Sequence, residues 1–153
     1  MEPIKCFMLT PVGEDPETGH TLYRREDTRE VYRWLNPAPR ETPVGAMWWC
    51  PWLGEYGRAD SKSRPGQARC YQPTDGKYLA VRTPGGTWII DSRCSNCTMP
   101  NDNVHHCWVR HGEPPDVTVD KNGITCAAGA GSIQCNDWHG FLVDGYLTDR
   151  RLD

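Results

Sequence analysis

KYLAVRTPGGTWIID, residues 77–91, is the clearest element of the chain. Leu79 and Val81 fall on one side of an extended backbone, Pro84-Gly85-Gly86 reverses it, and Thr87 to Asp91 lead back. Period-two alternation on both sides of a Gly-rich turn predicts a β-hairpin. The same pattern recurs outward from it. DVTVDKNGITC (116–126) predicts a second hairpin, with Asn122-Gly123 as a type I′ turn. WHGFLVDGYLTD (138–149) predicts a third, turning at Asp144-Gly145.

Toward the N-terminus, IKCFMLT (4–10) reads as a strand ended by Pro11-Val12-Gly13, and the following EDPETGHTLYRRED is turn-rich. In TREVYRWL (28–35), Val31, Trp34 and Leu35 are spaced i, i+3, i+4 behind a polar N-cap candidate. That spacing predicts a short helix, stopped by Asn36-Pro37-Ala38-Pro39. PVGAMWWCPWLGEYG (43–57) is apolar and aromatic without clean periodicity, consistent with a strand or an irregular buried segment. RADSKSRPGQAR (58–69) has the composition of an exposed loop, and AAGAGS (127–132) is small and flexible. The expected fold is mainly β: a small single domain over residues 1–153, built of antiparallel hairpins, with one short N-terminal helix and a long Cys/His-rich loop.

Composition narrows the function classes. The 153 residues include 15 Gly and 13 Pro, with seven Trp and six Tyr against two Phe. Much of the apolar material is therefore amphipathic aromatic, suited to shallow cores and contact surfaces. The net charge is -3, unlike a basic nucleic-acid-binding protein. Arg24, Arg25, Arg29, Arg33 and Arg40 cluster, but Glu26, Asp27 and Glu30 intervene, which reads as a solvated helix face rather than a phosphate-binding patch. The sequence shows no signal-peptide run and no membrane-length apolar segment, so folding in a cytosol is expected. Eight cysteines in such a compartment point first to metal ligation and then to disulfides.

SRCSNCTMPNDNVHHCWVRHG (92–112) concentrates that chemistry in a loop of roughly twenty residues, a length that calls for a cross-link or bound metal to hold it. Cys94-x-x-Cys97 has the spacing of half a tetrahedral zinc site, and His105, His106, Cys107 and His111 lie close enough in sequence to complete it. Cys126, Cys135 and His139 are more distant candidates. Metal ligands, disulfides and buried free thiols all remain open at this level. Catalytic patterns fare worse. His111-Gly112-Glu113 offers the first half of a zinc deaminase signature, but the CxxC lies upstream and lacks its proline. The hairpin context does not suit a thioredoxin-type CxxC. Gly129-Ala130-Gly131-Ser132 lacks both the dinucleotide fingerprint and the P-loop lysine. No catalytic residue is assigned.

The segment DSRCSNCTMPNDNVHHCWVRHGEPPDVTVDKNGITCAAGAGSIQ, with the following WHGFLVDGYL, resembles a family of small proteins encoded by tailed bacteriophages and prophages. Genomes often attach an ammonia monooxygenase label to this family. The resemblance covers residues 77–148, about half of the chain, and PVGAMWW looks like part of the same pattern. By position it implies Cys97, Cys107, Cys126, His111 and His139 as family positions, with Cys94 and Cys135 as additions. A membrane monooxygenase is not expected of a chain without a membrane segment.

Together these readings set the expectations. Cys97, Cys107, Cys126 and His139 would converge on one zinc ion, with His111 as a substitute ligand. Cys94, Cys135, Cys50 and Cys70 are disulfide candidates. Trp48, Trp49, Trp52 and Tyr56 would form either an interface platform or core filling. The expected role is a virion accessory protein (capsid decoration, neck or tail), made in the host cytoplasm. Its partners would be other virion proteins or further copies of itself, with no membrane and no direct nucleic-acid contact. The alternatives are a small metal-dependent enzyme and an intracellular zinc-stabilised binding module.

Overall fold

The computed structural model describes residues 1–33, 42–50, 77–92, 97–99, 104–127 and 132–149. Among them lie twelve strands and no helix. They are β1 (Ile4–Lys5), β2 (Phe7–Glu14), β3 (Thr21–Arg25), β4 (Val31–Arg33), β5 (Ala46–Trp49), β6 (Leu79–Thr83), β7 (Gly86–Ile89), β8 (Val109–His111), β9 (Thr118–Asp120), β10 (Ile133–Cys135), β11 (Trp138–Val143) and β12 (Tyr146–Thr148). One sheet runs β4-β3-β2-β5-β6-β7. The other runs β1-β12-β11-β9-β8, with β10 pairing to β11. The mainly β, hairpin-rich expectation holds.

The main core lies between the two sheets. Met8, Met47, Leu79, Val81, Trp88 and Ile90 from the first meet Val117, Val119, Ile133, Trp138, Leu142 and Leu147 from the second. The first sheet is buried on its other face too, where Phe7, Leu9, Tyr23, Ala46, Trp48, Cys50, Tyr78 and Ala80 cluster. Successive side chains of a strand point to opposite faces. Met47 thus serves one core while Ala46 and Trp48 serve the other. This explains why AMWW shows no polar alternation: a strand buried on both faces reads as a continuous apolar run. β5 also lies parallel to β2, with Phe7 opposite Ala46 and Met8 opposite Met47.

The hairpins β6–β7 and β11–β12 form where the turn chemistry places them. Asp144 and Gly145 both have positive φ, 48° and 79°, as a type I′ turn requires. At the other tip, Gly85 packs against β10: a Cβ there would sit 2.0 Å from the Cys135 carbonyl oxygen. Asn136 Nδ2 donates to the Gly85 carbonyl at 2.7 Å, so the two sheets are tied at this corner.

Five expectations are corrected. The helix over 28–35 is absent where the chain is described. Residues 31–33 form β4 against β3, with Tyr23 opposite Tyr32, while Trp34 and Leu35 lie outside the described residues. A tight turn at Glu26–Thr28, followed by Arg29 at φ 66°, reverses the chain, and Val31-Tyr32 has the β-branched and aromatic character of a strand. The first strand does not stop at Pro11. β2 runs to Glu14 through a register shift between Pro11 and Gly13, an irregularity that accommodates a residue without an N–H. EDPETGHTLYRRED is not only turn: it contains β3. Finally, DVTVDKNGITC is not a hairpin. β9 pairs with β8 and β11, because the Asp120 carboxylate accepts the Asn122 N–H at 2.8 Å and the following residues turn toward the Cys/His loop. That loop itself contains a strand, β8.

Candidate metal centre

Cys97, His105, Cys107 and Cys126 converge, with all four ligand atoms within 4.8 Å of one another. His105 and Cys107 are two residues apart on the chain that leads into β8. In extended backbone that spacing puts both side chains on one face, and both are buried, His105 at 0% and Cys107 at 1% exposure. Cys126 arrives from the segment after β9. The His106 N–H donates to the Ile124 carbonyl at 2.8 Å and holds this arm against the first. The third arm carries Cys97. The Ala127 N–H donates to Thr98 Oγ1 at 3.1 Å and fixes it beside Cys126. Lys121 Nζ donates to the Cys107 carbonyl at 2.6 Å. Met99 and Trp108 pack around the sulfurs. The edge of Trp108 meets Trp88, with ring centroids 5.2 Å apart and planes at 82°, which joins the cluster to the main core.

Three of the donor separations lie close to what a tetrahedral ion asks for. With metal–sulfur bonds near 2.3 Å and metal–nitrogen near 2.0 Å, tetrahedral geometry places sulfurs about 3.8 Å apart and sulfur from nitrogen about 3.5 Å. Cys107 Sγ and Cys126 Sγ are 3.8 Å apart. His105 Nε2 is 3.3 Å from Cys97 Sγ and 3.8 Å from Cys107 Sγ. Three thiols and one imidazole at these separations could hold a metal ion, and all four donors come from protein side chains.

Three of the expected ligands, Cys97, Cys107 and Cys126, are thus brought together. His139 and His111 are not members of the cluster. His139 Nε2 lies 2.8 Å from Ser132 Oγ on an exposed edge, and His111 Nε2 lies 2.7 Å from the Asp120 carboxylate. The fourth donor is His105. Its signal was available in His105-x-Cys107, since alternate residues entering a strand share a face.

The disulfide candidates do not pair among the described residues. Cys50 and Cys135 are buried free thiols that belong to different cores. Cys135 Sγ faces the Thr87 carbonyl at 3.7 Å. Burial pushes the Cys50 thiol up to about 12, opposed by a hydrogen bond from Trp48. Burial raises Cys6 equally, to about 12. Cys94 and Cys70 lie outside the described residues. The interface candidates divide likewise. Trp48 is core, at 1% exposure, because its position in β5 faces the second cluster. Trp49 is partly buried beneath Lys77 and Arg110, whose cationic groups lie 5.5 and 5.3 Å from its ring centroid. Trp52 and Tyr56 lie outside the described residues.

Comparison with family models, with curated proteins and with solved structures finds no match to this chain.

Proposed function

We propose that this chain is a non-catalytic, zinc-stapled β protein that acts as an accessory component of a phage particle, as a capsid decoration, neck or tail protein. The observation that carries the structural half is the donor set. Cys97, His105, Cys107 and Cys126 supply four protein ligands, the closed coordination of structural zinc, whereas a catalytic zinc keeps one position for water or substrate. Soft thiolates with one imidazole favour zinc over magnesium or calcium, which take oxygen ligands. Zinc bound here would join three loop segments that have few strands of their own to hold them.

The assembly half is supported by the resemblance of residues 77–148 to small phage-encoded proteins. The four donors all fall inside that segment. Its expected partners are other virion proteins or further copies of this chain, reached after synthesis in the host cytoplasm. Mass spectrometry of purified particles tests it. The chain should be present at many copies per particle, and particles that lack it entirely would contradict the reading.

A further inference from the structure

The four donors are not equally accessible. His105, Cys107 and Cys126 are buried, and Cys97 alone is partly exposed. An electrophile arriving from solvent therefore meets the Cys97 sulfur first. Two further sulfurs wait behind it, those of Cys107 and Cys126, both within 4.8 Å. A sulfur–sulfur bond of about 2.05 Å requires side-chain movement from that separation. The arms that carry these residues are loop segments, so the movement need not disturb a strand ladder.

We propose that Cys97 is an oxidation site for peroxides, and that its oxidation converts the metal staple into a disulfide staple; this rests on the reading of the cluster as a zinc site. The Cys97 sulfur attacks one peroxide oxygen, the O–O bond breaks and hydroxide leaves, giving a sulfenic acid at Cys97. The sulfur of Cys107 or Cys126 then attacks the Cys97 sulfur. The S–S bond forms, the S–O bond breaks and a second hydroxide leaves. Two thiolates have lost two electrons, and one peroxide has become two hydroxides, which solvent protons neutralise to water. Only His105 and one cysteine remain as donors, too few to keep the ion. A chain made in a reducing cytosol and carried outside the cell would meet these two conditions in turn. Metal would hold the loops in the first, and a covalent bond in the second.

The test starts with the full chain purified under reducing conditions and its zinc content measured. A chain without zinc fails the metal reading itself. With zinc present, hydrogen peroxide is added while a chromogenic chelator records release and peptide mapping locates the bonds. One zinc should leave for each disulfide formed, and the bond should join Cys97 to Cys107 or Cys126. Reductant with added zinc should reverse both changes. Cys97→His keeps four donors and should release zinc at least about tenfold more slowly, because the accessible thiolate is gone. Should that variant fail to bind zinc, the wild-type map still decides. Zinc retained under peroxide, a bond from Cys94 or another cysteine in place of the expected pair, or release without any disulfide would overturn the proposal while leaving the zinc site intact.

Discussion

Arg110 carries its charge into the interior, where Asp91 meets it: their side chains are 4% and 2% exposed, with Nη2 3.3 Å from Oδ2. Arg110 also donates to the Lys77 carbonyl at 3.2 Å, and Asp91 accepts the Leu79 N–H at 2.8 Å. The pair links β8 to the β6–β7 hairpin and so sets where the Cys/His arm leaves the core. Removing one member strands the other charge in a dry site. Arg110→Met should lower stability by about 3–5 kcal/mol in urea unfolding, and Arg110→Met with Asp91→Leu should recover part of that loss. The buried thiols give a pH prediction. Cys6 and Cys50 stay protonated in the fold until about pH 12, whereas in the unfolded chain they ionise near an ordinary thiol value of about 8.5. Their contribution is therefore complete below that value and lost as pH rises through the folded value. Each should remove about 1.4 kcal/mol per pH unit across that window. A urea midpoint that is constant from pH 8 to 11 would contradict this. At this scale the sequence was partly legible. Three cysteine donors could be picked out; His105 carried a signal only in its i, i+2 spacing to Cys107, which counts once residues 105–107 are known to be extended.

The β3–β4 unit shows what local pattern conceals. Val31, Trp34 and Leu35 fit a helical stripe, yet Val31 is exposed and Tyr32, opposite Tyr23, packs against the second core cluster. Cross-strand pairing outweighed a spacing that three residues can meet by chance. The hairpins β6–β7 and β11–β12 were legible because their turns and both strands lie within one short window. The partners of β9 and the parallel pairing of β5 with β2 were not, because they depend on residues far apart in sequence. β4 is also fastened by an ion pair: Arg33 Nη2 lies 2.7 Å from Asp15 Oδ2. The Glu17 backbone N–H, 2.9 Å away, holds the Asp15 carboxyl below the usual carboxylate range; partial burial opposes this, and the Arg33 charge adds to it. A depressed carboxyl stabilises the fold above its unfolded value of about 3.9 and loses that contribution as pH falls through the lower folded value. Asp15→Asn should therefore flatten the acid limb of the stability profile and raise amide exchange in β3 and β4, while leaving β11 and β12 unchanged.

For the molecule as a whole, two sheets provide a core whose strands do not include the Cys/His arms, and a metal ion held by Cys97, His105, Cys107 and Cys126, as proposed, would secure those arms to it. Chelation should therefore loosen residues 104–107 and 124–127 in hydrogen exchange while the β-sheet signal persists at low temperature. Free zinc at a thousandfold above its dissociation constant adds about 4 kcal/mol, so stripping it should lower Tm by roughly 8–16 °C for a chain of this size. His105→Ala should weaken zinc binding and lower Tm part of the way toward the stripped state, since three sulfurs remain but the nitrogen that closes the site is gone. The most direct test of the account is X-ray absorption at the zinc edge on protein purified under reducing conditions. It should show one zinc per chain with about three sulfurs near 2.3 Å and one nitrogen near 2.0 Å. A coordination shell that contains water oxygen, or a chain free of metal with Cys97, Cys107 and Cys126 all titrating as free thiols in an intact fold, would contradict it.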